Sequence, residues 1–247
     1  MNIEEFFRIN PEVAIAFSGG VDSAYLLYAA IKYAKKVKAY YVKSCFQPQF
    51  EMDDALKIQK QLGADMKVIS INVLEDETVK SNPVNRCYYC KIKIFEEIKK
   101  AAIEDSFKVI LDGTNASDSE GDRPGMKALR ELEVKSPLRE CGLTKDKIRL
   151  LSKEAGLFTW DKPAYACLAT RIPANTVITE EIIKNTEICE AYMFDLGFTD
   201  FRVRYLNGCA KIQVPLDQME MAINKREEIL KGLMPYYKDI FLDLGGR

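Results

Sequence analysis

Val13-Ala14-Ile15-Ala16-Phe17-Ser18-Gly19-Gly20-Val21-Asp22-Ser23 is a short apolar run that breaks into a glycine pair flanked by serines and an aspartate. Beyond it Leu26, Leu27, Ala30, Ile31 and Ala34 recur at helical spacing. The pattern predicts a strand over 13–17, a tight loop, and a helix over 23–34. At such a junction backbone N–H groups and a helix N-terminus converge on one point of partial positive charge, where a phosphate fits. Gly19 and Gly20 let the main chain approach closely, and Ser18 and Ser23 add hydroxyl donors. Asp22 is placed to help hold a magnesium ion. Ser18, Gly19, Gly20, Val21, Asp22 and Ser23 are therefore the candidate phosphate-binding residues. A tight turn with a capping serine is the plainer alternative.

The alternation continues outward from this stretch. Strands are expected over 37–42, 66–71 and 109–111, and helices over 50–62, ended by Gly63, and over 88–103. Strands alternating with helices imply an α/β fold with a parallel sheet covered on both faces. The segment Gly113 to Gly125, rich in Gly, Asn, Asp and Ser, reads as a loop at the carboxyl end of a strand, where open α/β sheets bind ligands. A helix over 144–155 follows, and 160–173 reads as a linker.

A domain boundary is expected near Pro173, giving an α/β domain that carries the phosphate loop over 1–173 and a small α+β domain over 174–247. In the second, Thr179 caps a helix with Glu180 and Glu181 in its first turn and Ile182, Thr186, Cys189, Met193 and Leu196 on one face. Strands over 201–205 and 209–214 flank Asn207-Gly208, a strong hairpin signal. A helix over 216–230 and a strand over 240–242 complete it.

Composition narrows the chemistry. The 247 residues include 36 Lys and Arg against 37 Asp and Glu, a net charge of −1, so bulk charge makes no case for a nucleic-acid partner. There is no histidine, which excludes Ser-His-Asp triads and imidazole metal sites. No run is long enough for a membrane span. Glu4 and Glu5 stand where a signal peptide needs basic and apolar residues, so the expected location is the cytoplasm.

The seven cysteines are an odd number, and in that compartment metal or sulfur chemistry outweighs a disulfide framework. Cys87 and Cys90, in Arg86-Cys87-Tyr88-Tyr89-Cys90-Lys91, open a predicted helix between cationic neighbours. Cys167 lies in Ala166-Cys167-Leu168-Ala169-Thr170-Arg171. Three thiolates suit a 4Fe-4S cluster with one open iron. A closed zinc site would need a fourth ligand, from Cys141 or Cys45, and a metal-free redox or persulfide-carrying pair is a third option. Cys189 and Cys209 read as core residues.

The loop at 18–23 resembles the pyrophosphate-binding loop of the PP-loop ATP pyrophosphatases, the superfamily of GMP synthetase, NAD synthetase and tRNA sulfur-insertion enzymes. Leu111 to Asn115 with Asp118, and Arg123-Pro124-Gly125 with Ser136-Pro137-Leu138, resemble its later regions. The resemblance implies ATP with Mg²⁺ as cofactor and adds Asn115, Asp118 and Arg123 to the nucleotide site. Together the cysteine segments and Phe201-Arg202-Val203-Arg204 resemble the LarE family of ATP-dependent sulfur transferases. Tyr205 stands where that family often has a histidine.

The LarE resemblance implies adenylation of a carboxylate of pyridinium-3,5-biscarboxylic acid mononucleotide and its conversion to a thiocarboxylate, within nickel-pincer nucleotide cofactor synthesis. It implies Cys87, Cys90 and Cys167 as ligands of a 4Fe-4S cluster that delivers sulfide, with a sacrificial Cys167 as the alternative route. Arg202 and Arg204 match residues that hold the mononucleotide phosphate, and Arg171 and Glu190 join the expected substrate site. A trimer-based homo-oligomer is also implied. Competing readings are a tRNA thiolase, an amide ligase of the NAD synthetase kind, and a non-catalytic nucleotide-binding redox sensor.

Overall fold

The computed structural model describes residues 1–118 and 124–247. In chain order its elements begin with α1 (Ile3–Ile9), β1 (Glu12–Phe17), α2 (Val21–Tyr33), β2 (Lys36–Lys43), α3 (Gln49–Leu62) and β3 (Met66–Ser70). There follow α4 (Glu77–Lys80), α5 (Arg86–Glu104), β4 (Ile110–Leu111), α6 (Pro124–Glu131), α7 (Pro137–Glu140) and α8 (Lys145–Glu154). The remainder holds α9 (Glu180–Asp195), β5 (Arg202–Leu206), β6 (Cys209–Gln213), α10 (Met219–Asn224), α11 (Arg226–Leu233) and β7 (Ile240–Leu242).

By contacts the chain divides into two compact units, Met1–Val73 with Asn85–Ala164, and Leu74–Val84 with Tyr165–Arg247. The boundary expected near Pro173 falls inside the second of these. Asn82 explains how the short segment joins it: its side-chain amide donates to Pro173 O at 2.8 Å, and its own carbonyl accepts from the Asn175 N–H at 2.7 Å.

The first unit is built on a parallel sheet of order β3-β2-β1-β4, which makes the fold α/β as expected. Successive side chains of a strand point to opposite faces, and the apolar run in β1 splits accordingly. Val13, Ile15 and Phe17 enter one core with α2, while Ala14 enters the other with Tyr40, Val42, Phe95 and Ile98. Burial on both faces is why β1 reads as a continuous apolar run rather than an alternating one. Leu26 and Leu27 of α2 are fully buried, each stabilising the core by roughly 1.5–3 kcal/mol. α3 ends at Gly63, which takes the left-handed conformation (φ 61°) the sequence assigned to its stop.

Several elements depart from expectation, the short helices α4 and α7 among them. α1 was not anticipated; Asn2 and Glu5 form a reciprocal capping box, and the helix buries Phe6 and Phe7. α6 begins at Pro124, inside the segment read as loop. The single helix expected over 216–230 is a 3-10 turn (Leu216–Gln218) followed by α10 and α11, divided at Lys225.

The second unit carries a three-stranded sheet of order β5-β6-β7, with β5 and β6 antiparallel and β6 and β7 parallel. Asn207 and Gly208 form the hairpin turn with φ of 50° and 88°, the left-handed pair that matches strand twist. Thr179 caps α9 by accepting the Ile182 N–H at 3.2 Å. On α9, Ile183 rather than Ile182 is buried with Thr186, Cys189 and Met193. No helix among the described residues is long and apolar enough to cross a membrane.

Candidate active site

α2 starts at Val21, two residues earlier than its periodicity suggested, with Gly20 as N-cap and no side-chain capping bond. Its first-turn N–H groups thus receive no side-chain cap bond, and the capping-serine alternative is not what the chain builds. The serines brace the loop instead. Ser18 Oγ and Ser23 Oγ lie 3.0 Å apart, Ser23 Oγ donates to Gly20 O at 3.2 Å, and the Ser18 N–H donates to Ser23 Oγ at 3.3 Å. Gly19 has φ +74°, and a Cβ there would lie 3.1 Å from Ala55 Cβ of α3. A Cβ on Gly113 would lie 3.1 Å from Ser23 N, so a second glycine lets the strand after α5 close against the loop.

Asp22 sits in the first turn of α2. Its Oδ2 lies 2.6 Å from Lys145 Nζ, while its Oδ1 is buried and has no hydrogen-bond partner among the described residues. A buried carboxylate oxygen with no partner among the described residues is a hard donor of the kind Mg²⁺ takes alongside phosphate oxygens. Lys145 also donates its backbone N–H to Ser117 Oγ at 2.9 Å, joining the loop after β4 to Asp22. Sequence reasoning did not single out Lys145. The available signal was a lysine at the first position of α8, where the helix dipole disfavours a cation.

In the loop after β4, Asp112 is buried and accepts hydroxyl bonds from Thr114 and, at 2.6 Å, from Ser136. Asn115 Oδ1 accepts the Ser117 N–H at 2.8 Å, and Asp118 Oδ2 accepts the Asn115 N–H at 2.9 Å. Arg139 donates to Asp118 O at 2.6 Å. The side chains of Asn115 and Asp118 therefore shape the loop backbone. Arg123 lies outside the described residues.

Cys87 and Cys90 are the second and fifth residues of α5, which begins at Arg86 rather than Tyr88, and their spacing puts them on one helix face. Cys87 is exposed and Cys90 half-buried. Arg86 is 6% exposed, reaches Cys87 Sγ at 3.7 Å and lies 5.9 Å from the Phe46 ring centroid. Cys167 belongs to the second unit, so the expected cysteine set draws on both. Among the described residues no three Cys, Asp or Glu side chains are gathered as a metal-binding group. Burial raises the Cys141 thiol above its ordinary value, and pushes Cys189 up to about 12 inside the core of the second unit. Neither environment favours a thiolate ligand.

The expected substrate residues Arg171, Glu190, Arg202 and Arg204 are all in the second unit. Arg171 and Glu190 are each 1% exposed and form a bidentate pair, Nε to Oε1 at 2.7 Å and Nη2 to Oε2 at 3.0 Å. Glu190 Oε1 also accepts the Val203 N–H of β5 at 2.9 Å. Arg202 and Arg204, two apart on β5, share the face opposite core residue Val203. Arg202 is buried; its burial and the nearby Arg171 charge lower its pKa. Arg204 donates to Thr170 O at 2.9 Å and to Gln213.

The family profile of queuosine biosynthesis protein QueC matches residues 12–86, a span that takes in the phosphate loop and stops at Arg86. Pyridinium-3,5-bisthiocarboxylic acid mononucleotide synthase of Lactiplantibacillus plantarum is 30% identical over 95% of this chain and 86% of its own. The chain belongs to the LarE family. An uncharacterized protein of Synechocystis sp. is 32% identical over 90% of this chain and 83% of its own. The tRNA-specific 2-thiouridylase MnmA of Pseudothermotoga lettingae is 28% identical over 61% of this chain and 54% of its own, a partial likeness that places the LarE family chain within the wider PP-loop fold.

Proposed function

We propose that the chain is an ATP-dependent sulfur transferase that adenylates a carboxylate of pyridinium-3,5-biscarboxylic acid mononucleotide and converts it to a thiocarboxylate. The observation that carries the adenylation is the uncapped N-terminus of α2 beside Asp22 and Lys145. The acceptor is inferred from the L. plantarum relative.

In this reading the N–H groups of the 18–23 loop take the ATP phosphates, Asp22 Oδ1 takes Mg²⁺, and Lys145 balances phosphate charge. A substrate carboxylate oxygen attacks the α-phosphorus; the new O–P bond forms as the bond to pyrophosphate breaks. A free carboxylate has no leaving group, and the acyl adenylate supplies one. A sulfur nucleophile then attacks the acyl carbon and AMP leaves. Arg202 and Arg204 hold the mononucleotide phosphate, for which guanidinium offers paired donors. Arg171 and Glu190, buried against each other, act by holding that surface in place. Cys87, Cys90 and Cys167 are the thiols that would hold a 4Fe-4S cluster, which when bound supplies sulfide at an open iron.

The likeness to MnmA supports one other reading, thiolation of tRNA. A net charge of −1 weighs against it, since a tRNA surface is engaged through many phosphate contacts. Pyrophosphate release from Mg-ATP separates the two. Release stimulated by the dicarboxylate mononucleotide supports the proposal, whereas release stimulated only by tRNA overturns it.

A further inference from the structure

Glu190 on α9 is the shared acceptor of a network that also holds the segment around Cys167. Besides Arg171 and the Val203 N–H, its Oε2 accepts the hydroxyl of Tyr165. The ring of Tyr165 faces two guanidinium groups, with Arg171 Cζ 4.7 Å and Arg202 Cζ 5.5 Å from its centroid. Arg171 Nη1 donates back to Ala166 O at 3.1 Å. Cys167 O accepts the Thr170 N–H at 3.0 Å and the Thr170 hydroxyl at 2.7 Å, and Thr170 O accepts from Arg204. Residues on both sides of Cys167 are therefore tied to α9 and β5, the elements that carry Glu190, Arg202 and Arg204.

We propose that Tyr165 is a positioning residue that fixes the Cys167 segment and the Arg202 guanidinium in one frame. The hydroxyl holds the segment through Glu190, and the ring holds the guanidinium by cation–π contact. Phenylalanine could do only the second, and an aliphatic residue neither. A phosphate seated on Arg202 and Arg204 is thereby kept at a set distance from the sulfur-bearing residue, which is what oriented attack on an acyl carbon requires. For Arg202 this rests on the reading of that arginine as a phosphate ligand.

The test uses the full-length protein with Tyr165→Phe, Tyr165→Leu and Arg202→Ala, and nicotinic acid mononucleotide as probe. Calorimetry gives its affinity and that of Mg-ATP, and hydrogen exchange read by peptide mass gives the mobility of 166–171. Tyr165→Phe is expected to keep mononucleotide affinity within about twofold while exchange across 166–171 rises. Tyr165→Leu should raise exchange and also weaken the mononucleotide about tenfold, with Mg-ATP affinity unchanged. Unchanged exchange in both variants, or equal loss of mononucleotide affinity in both, overturns the proposal. If Arg202→Ala weakens binding and Tyr165→Leu does not, the proposal falls and the phosphate reading stands. If Arg202→Ala binds normally, the phosphate reading falls, and exchange alone decides whether Tyr165 anchors the segment. Should Tyr165→Leu not fold, Tyr165→Phe carries the test: faster exchange with retained affinity supports it, and any other result overturns it.

Discussion

Lys145 Nζ lies 2.6 Å from Asp22 Oδ2, joining the first residue of α8 to the first turn of α2 across 123 positions of sequence. The pair puts a cation at the helix end where phosphates are proposed to bind. Replacing it by Lys145→Met removes that charge and leaves Asp22 to repel the nucleotide. Mg-ATP affinity is expected to fall at least about tenfold, or ~1.4 kcal/mol, by calorimetry. Unchanged affinity would confine Lys145 to bracing the loop.

Gly19 combines a positive φ with close contact to Ala55. Gly19→Ala is expected to cost about 1–3 kcal/mol of stability through backbone strain, seen as a lower urea midpoint. Nucleotide binding should fall with it, because the shifted loop no longer presents its N–H groups together. A variant as stable as the parent would contradict the assigned conformation.

Glu190→Gln leaves the buried Arg171 guanidinium without its carboxylate. The expected loss is about 3–5 kcal/mol in chemical unfolding. The double change Arg171→Met with Glu190→Leu should recover most of it, since removing both charges removes the desolvation cost. A double variant no better than the single would show that the hydrogen bonds to Val203 and Ala166, rather than charge balance, hold the region.

Protein purified without oxygen is expected to hold about four irons and four acid-labile sulfides per chain, and Cys87→Ala, Cys90→Ala and Cys167→Ala each to lose them. Full iron content in any variant removes that residue from the ligand set. Iron-free wild-type protein whose Cys167 peptide loses the mass of sulfur after one turnover would instead identify a sacrificial donor.

The parallel sheet was legible because β1 is buried on both faces and α2 keeps strict helical spacing, and the hairpin because Asn207-Gly208 supplies two left-handed residues. α1 escaped because seven residues give barely two turns of periodicity, leaving only the Asn2 and Glu5 cap as a signal. The break between α10 and α11 falls at Lys225, with neither glycine nor proline to announce it. At the candidate site the strand, glycine turn and helix over 12–33 were readable because they are adjacent in sequence. Lys145 and Tyr165 were not, because each acts on a partner distant in sequence: Asp22 for one, Glu190 and Arg202 for the other. The buried pairing of Arg171 with Glu190 was not readable either, because 19 positions separate them.

The second unit is assembled from two stretches of chain, Leu74–Val84 and Tyr165–Arg247. During synthesis the earlier stretch leaves the ribosome long before Asn175 and Ile178, whose N–H groups meet the carbonyls of Asn82 and Lys80. Those two bonds must wait while residues 85–164, all belonging to the other unit, are made. Such non-local closure slows folding. It also means that no single cut in the chain can release the second unit intact, so fragments ending near residue 164 would carry Leu74–Val84 as an orphan segment exposed to proteases.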